Sequence, residues 1–499
     1  MSFYDDASLI MFPSGYKEDK IYSLKPTDGS GDLTFTRAST ATRVNEQGLI
    51  ENAFVLGSEL IPTQATIVNL GGGTITQILG NSYSSTSNGA SGSTLRPKFD
   101  VALTIGKKYK LIITPIGSIS GVINFDLYDG TSYVFNDYDF TTVKEVIFTA
   151  NASSIFLAFD GTKIYSISNF TISIKEVIEN NIPRIDYTGG GCGKLLLEPQ
   201  RTNLALYSEQ FDNAYWNVNS NAVRTLSTNL SPDGTLNAYK IEAVANTQVG
   251  ALGTTTIGTV ITHSLYVRRI SGSTTFNMVD VNNVSTLVNI TSEWQRFSVT
   301  ATATSTNLRN YFRLASVGDV VEVYGIQAEI GSYPTSYIKT LVSSVTRLAD
   351  AAYKTGISSL INSVEGVLFI NTSTPINDSN AGVISVSDGT LSNRCILFYG
   401  VGNISARLTV GGVNSVPLSK TFVTSDYHKI AARWNATTFD LYVDGVFVSS
   451  TANSSFSTNT LTSLQFNAGS GANNFLGNAQ SVQVLSYLTD TQMVSLTTL

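Results

Sequence analysis

The sequence predicts an all-β, multi-domain protein, made of β-sandwiches of jelly-roll or lectin-like type joined by extended connector segments. Three observations predict it. Short runs of alternating apolar and polar residues follow one another along most of the chain. Tyr (23) and Phe (24) are plentiful, whereas charged residues make up only 14%. A set of landmarks also recurs in the same order at a nearly constant spacing.

The alternation is period two. Ile123, Phe125 and Leu127 alternate with Asn124, Asp126 and Tyr128, and Phe170, Ile172 and Ile174 alternate with Thr171 and Ser173. Leu265 and Val267 flank Tyr266, and Phe439, Leu441 and Val443 flank Asp440 and Tyr442. One apolar face per strand is the pattern of sheets packed on one side. Val, Ile, Thr, Tyr and Phe also suit a pleated, half-buried surface. Helical candidates are short, about 343–352 and 489–496.

A chain of 499 residues exceeds one ordinary domain. The run Val146-Ile147-Phe148-Thr149-Ala150 is echoed 151 residues on by Phe297-Ser298-Val299-Thr300-Ala301. Thr104-Ile105-Gly106 parallels Thr256-Ile257-Gly258, and 172–176 parallels 323–327. This predicts two copies of one sandwich, at 59–180 and 205–338. A third module is expected at 361–499. In it Asp444-Gly445 supplies the two φ > 0 positions of a type I′ hairpin. Residues 1–58 form an N-terminal attachment segment, 181–204 a connector and 339–360 a linker with a short helix. The first two are expected to lie along other modules.

The net charge of −6 and the lack of a dense basic cluster argue against nucleic acid as partner. Cys192 and Cys395 fall in different modules, so no disulfide framework is indicated. The N-terminal residues lack a secretory pattern, and no stretch approaches 18 consecutive apolar residues. The expectation is synthesis in the cytoplasm and release by lysis, without membrane insertion.

Several long blocks carry a family resemblance. Gly29-Ser30-Gly31-Asp32-Leu33-Thr34-Phe35-Thr36-Arg37-Ala38-Ser39-Thr40-Ala41-Thr42-Arg43, with Gly48-Leu49-Ile50-Glu51, is one. Pro183-Arg184-Ile185-Asp186-Tyr187 with Leu195-Leu196-Leu197-Glu198-Pro199-Gln200-Arg201-Thr202-Asn203-Leu204 is another. Gly331 to Ile338 and Val345 to Asp350 complete the set. Together, over about 80 residues, they resemble blocks of bacteriophage tail and fibre proteins. The middle module, from Trp216 through Ser231-Pro232-Asp233-Gly234 to Gln327, resembles phage carbohydrate-binding-like sandwiches. The last resembles concanavalin A-like (laminin-G-like) lectin domains through Trp434 and Leu441-Tyr442-Val443-Asp444-Gly445. The resemblance implies a virion appendage contacting host-surface glycans, alongside other virion proteins. A homo-oligomer is expected, with a trimer as its number, because avidity multiplies weak sugar contacts.

In the connector blocks Arg37, Arg43, Arg184 and Arg201 stand beside small polar residues. A guanidinium presents five donors in a fixed fork. With Asp32, Asp186, Glu198 and Glu51 as partners, these residues are read as a polar clamp joining modules. A phosphate or sialic-acid site is the alternative.

Signatures of catalysis are sparse. His263 and His428 are the only histidines, and neither sits in an H-E-x-x-H motif. No G-x-S-x-G elbow or phosphate-cradling loop occurs. Glycan cleavage needs two carboxylates about 5–10 Å apart. Asp137 and Asp139 share a strand face but read as a polar strand end. The chain is therefore expected not to be an enzyme and to need no cofactor. The oxygen-rich Asn377-Asp378-Ser379-Asn380 could take calcium. Glycan-contact candidates are Tyr266 and Tyr311 in the middle module, and Tyr399, Arg407 and Tyr442 in the last; Trp216, Trp294 and Trp434 are assigned to the core. A purely architectural decoration of head or tail, and a capsule depolymerase, are the alternative functions.

Overall fold

Alternating side chains become strands whose inward members are buried. In Lys108–Pro115, for example, Tyr109, Leu111 and Ile113 are interior while their neighbours are half-buried. The computed structural model describes residues 3–61, 63–90, 97–129, 131–216, 222–245, 247–314, 316–375, 382–422, 427–453 and 455–499. The chain divides into two units, Phe54–Glu179 and the remainder, Met1–Ala53 with Asn180–Leu499. Among the described residues no helix is long and apolar enough to cross a membrane.

The smaller unit is an antiparallel sandwich. One sheet runs Lys144–Thr149, Lys108–Pro115, Ile164–Ile178, Ser82–Asn88, Gly73–Leu79. The other runs Tyr133–Asp139, Asn124–Tyr128, Ser154–Phe159, Lys98–Ala102, Ala65–Val68. Val55–Glu59 also pairs with Ile164–Ile178, so the sandwich starts before residue 59. Its core is aromatic: Phe159 meets Phe125 at 4.8 Å and Phe170 at 5.3 Å between ring centroids, both edge-on.

The larger unit holds a second sandwich of matching strand order. Gln295–Thr302, Val260–Ser271, Val320–Ile330, Tyr239–Ala243 and Ala222–Leu226 form one sheet. Ser285–Asn289, Thr275–Val279, Asn307–Leu314 and Gln248–Thr254 form the other. The five strands of the first sheet and four of the second follow the order of the first sandwich, which has Val55–Glu59, Ile119–Gly121 and Ala65–Val68 in addition; this gives the sequence repeat a structural counterpart. Trp216, Phe211, Phe276 and Phe312 fill its centre.

The last sandwich is not contiguous in sequence. Its first sheet contains Gly477–Leu485, Gly366–Ser373, His428–Trp434, Thr438–Val443 and Val446–Ala452, and gains Ile185–Asp186, Lys194–Leu197 and Ala7–Met11. Its second sheet contains Ser463–Gln465, Val383–Ser387, Arg394–Gly400 and Asn403–Val410, and gains Leu33–Thr36 and Ala351–Thr355. Leu9, Phe35, Leu195 and Ala352 thereby join Trp434 and Leu441 in one core. Asp444 (φ 53°) and Gly445 (φ 76°) make the expected tight turn.

Two expectations are corrected. Residues 343–352 are not helical. Val345–Arg347 pairs with Arg201–Asn203, and Ala351–Thr355 pairs with Leu33–Thr36 and Ser463–Gln465; a ten-residue run has little helical stability of its own, and strand partners win. Trp294 is half-buried rather than core; its Nε1 donates to the Leu230 carbonyl at 3.1 Å and Arg268 lies over its ring. The helix Asp490–Thr497 does form, closed by a Thr489/Gln492 capping box.

Candidate functional site

Three connector segments, far apart in sequence, meet in a buried ionic network inside the larger unit. Arg37 follows the strand Leu33–Thr36, Arg184 precedes Ile185–Asp186, and Arg347 ends Val345–Arg347. All three guanidiniums are 0–1% exposed. Arg37 donates from Nη1 to Asp350 Oδ1 at 2.9 Å, from Nη2 to the Ile182 carbonyl at 3.0 Å and from Nε to the Ser39 carbonyl at 2.9 Å. Arg184 bridges both acids: Nη1 meets Glu198 Oε2 at 2.6 Å, and Nη2 meets Asp350 Oδ2. Arg347 reaches Glu198 at 2.7 Å and the Pro199 carbonyl at 2.7 Å. Ser336 adds its backbone N–H to Glu198 Oε1 at 2.7 Å and its hydroxyl to Oε2 at 2.7 Å.

Burial would raise the Glu198 carboxyl, but Arg347, Arg184 and the Ser336 bond outweigh it and hold it far below the usual carboxylate range. Glu198 is thus ionised and fully engaged.

Of the expected clamp residues, Arg37, Arg184 and Glu198 belong to this network. The others do not. Arg43 pairs with Glu51 at 3.0 Å. Arg201 lies over the Tyr333 ring at 5.4 Å. Asp32 takes Lys20 at 3.2 Å and the Ser23 N–H at 3.0 Å. Asp186 accepts the N–H groups of Val44 at 2.8 Å and Thr188 at 3.0 Å. Asp350 and Arg347 were missed as members. Both stand in the Val345–Asp350 block, but a helical reading of that block points its side chains elsewhere.

One edge of the network opens into a cleft of about 700 Å³. Glu198, Thr335 and Ser336 form its floor; Tyr266, Arg296 and Tyr337 come from the middle sandwich. The hairpin around Arg43 to Ile50 and the bridge residues Asp186 to Gly190 form a second wall, and Pro375, Gly477 and Asn478 of the last sandwich a third. Tyr266 and Arg296 are opposite each other on paired strands, with the guanidinium 5.2 Å from the ring centroid. Arg296 is fixed by the Thr335 carbonyl at 2.7 Å and the Ser264 hydroxyl at 2.9 Å. Across the cleft Tyr187 donates to Glu46 at 2.9 Å. Stacked aromatic and guanidinium faces beside amides and carboxylates match the two faces of a sugar, apolar C–H and hydroxyl.

The remaining sugar-contact candidates divide. Tyr399 is interior, its hydroxyl 2.9 Å from that of Thr372. Tyr442 is 1% exposed and donates to Asp490 at 3.0 Å; burial pushes its phenol up to about 12. Tyr311 packs against Gly250 and is buried. These three are corrected to packing residues, since alternation does not say which face meets water. Arg407 is half-buried and lines a smaller pocket. The calcium candidates Asn377 to Asn380 and the Asp137 side chain lie outside the described residues. Asp139 is exposed at a strand end.

The fold and site therefore define an all-β protein of several sandwiches with a cleft of saccharide size. No protein-family model and no curated protein sequence matches the chain. Among solved structures it is similar to the CBM40 of the Ruminococcus gnavus IT-sialidase bound to α2,3-sialyllactose, at 17% identity, covering 28% of this chain and 86% of that one with a TM-score of 0.25. Domain 4 of AbnA, a GH43 extracellular arabinanase from Geobacillus stearothermophilus in complex with arabinotriose, gives 13% identity, coverages of 33% and 82% and a TM-score of 0.25. GH43B of the Bacteroides ovatus xyloglucan PUL gives 9%, 84% and 98%, and 0.20.

Proposed function

We propose that this chain is a fibre or appendage protein of a bacteriophage particle that holds host-surface glycans in the cleft between Tyr266, Arg296 and Asn478, without cleaving them. The observation that carries the reading is the cleft itself: its floor is pinned by the Arg37–Arg184–Arg347 network, so its walls are pre-organised. Binding rather than hydrolysis is the expectation because both oxygens of Glu198, the carboxylate of the floor, are taken up by Arg184, Arg347 and Ser336, which leaves neither free to act on a glycosidic bond. The phage assignment rests on the sequence blocks around Arg37, Arg184, Glu198 and Asp350, which meet at this floor. Release by lysis, assembly with other virion proteins and a homotrimer belong to the same reading.

The test is adsorption of the purified protein to host cells and capsule, with released sugars monitored. The expected result is binding without release, weakened at least tenfold by Tyr266→Ala at unchanged melting temperature. Sugar release overturns the non-enzyme reading. Neither binding nor release favours an architectural decoration instead.

A further inference from the structure

The outer face of the last sandwich carries a second, smaller pocket of about 260 Å³. It sits on the strands Arg394–Gly400 and Asn403–Val410. Cys395, Leu397, Ala406 and Leu408 point into the core, which turns Arg394, Ile396, Phe398 and Arg407 to the other face. Ile396 lies opposite Arg407 and Arg394 opposite Thr409, so the two arginines are diagonal neighbours, about 7–8 Å apart at the backbone.

Their charge is unanswered. Arg37, Arg43, Arg184, Arg268, Arg347 and Arg433 each meet a carboxylate. Arg394 and Arg407 meet none among the described residues, and no acidic side chain is among those lining the pocket. Arg394 is 8% exposed and spends one donor on the Ala468 carbonyl at 2.7 Å. The Nε atoms of both are buried without a hydrogen-bond partner. Two cations held together in a half-buried pocket repel each other, and burial and Arg407 both lower the Arg394 pKa. An oxyanion bonded by both forks removes that cost. Phe398 lies under the Arg407 guanidinium at 5.8 Å and offers an apolar face beside the charges. The volume suits one ring rather than an oligosaccharide.

We propose that this pocket is a second ligand site, separate from the cleft, which takes the carboxylate of an acidic sugar, a uronate or a sialate, between Arg394 and Arg407. The sugar ring rests against Phe398.

Calorimetric titration of the full chain at low salt tests it, with galacturonic acid, N-acetylneuraminic acid, galactose and inorganic phosphate as probes. An acidic sugar is expected to bind and galactose not to. Arg407→Gln should weaken the acidic sugar at least tenfold at unchanged melting temperature, Arg407→Lys less, and Tyr266→Ala not at all. Binding lost in Tyr266→Ala but kept in Arg407→Gln places the acid in the cleft and overturns the proposal while leaving the cleft reading intact. Phosphate binding without acidic-sugar binding marks a bare oxyanion site and overturns the sugar assignment. Absence of binding by every anion overturns it outright.

Discussion

Arg37 donates to Asp350 at 2.9 Å in the protein interior across 313 residues of sequence. Arg184 takes the other oxygen of the same carboxylate. One aspartate thus ties the N-terminal segment, the bridge and the 345–350 segment together.

Removing that carboxylate leaves two buried guanidiniums short of a counter-charge. Asp350→Ala is expected to cost about 3–5 kcal/mol, read as a lower denaturant midpoint. In a double-mutant cycle, Arg37→Ala and Asp350→Ala should be strongly coupled. Additive losses would show that the pair does not act together.

Acid should act through Glu198. Its folded pKa lies below the ordinary value of 4.5. Its contribution is therefore fully present above 4.5 and lost as pH falls toward the folded value. Melting of the larger unit should become pH-sensitive below about 4.5, and Glu198→Gln should flatten that dependence while lowering stability at pH 7. An unchanged slope in the variant would assign the acid sensitivity elsewhere.

Gly250 faces Tyr311 across paired strands, and a Cβ at 250 would sit 1.9 Å from the Tyr311 ring. Gly250→Ala should cost about 1–3 kcal/mol by overpacking. In a Tyr311→Ala background the same change should be nearly neutral, which a melting series checks.

The three tryptophans, Trp216, Trp294 and Trp434, all lie outside 54–179. Phe159→Ala should therefore destabilise the smaller unit by about 3–5 kcal/mol with little change in the fluorescence-detected transition. Circular dichroism would report the loss. A matching fluorescence shift would mean that the two units unfold together.

Much of this was legible in the sequence. Alternation located the strands of the repeated sandwiches, and the 151-residue echo had physical meaning, because Lys144–Thr149 and Gln295–Thr302 occupy the same place in their sheets. Asp444-Gly445 is a local code and is readable as such, and the helix near 489–496 is visible in the sequence too. Partner choice was not. Ala7–Met11 and Leu33–Thr36 are five and four residues long; such runs announce a strand but not a partner hundreds of residues away. The network was half visible for the same reason: Arg37, Arg184 and Glu198 stood out by composition, whereas Asp350 and Arg347 depend on an extended backbone that their own segment does not encode. Tyr399 points into its sandwich core, whereas Tyr266 and Tyr442 both point away from theirs, and Tyr442 is buried because the helix Asp490–Thr497 covers it; the packing of whole elements decides this.

The strand Ala7–Met11 pairs with Gly477–Leu485. During synthesis the first strand must wait for its partner to leave the ribosome, on the order of half a minute to a minute and a half at about 5–20 residues per second. Throughout that interval the apolar strand, Leu9 and Met11 included, lacks its long partner and has only the local bridge from Ile10 to Lys25. Phe54–Glu179 has every strand it needs long before then. Assembly of the larger unit is thus timed by the synthesis of residues 477–485, and a ribosome stalled before residue 477 would release a finished small sandwich attached to an unfinished, aggregation-prone remainder.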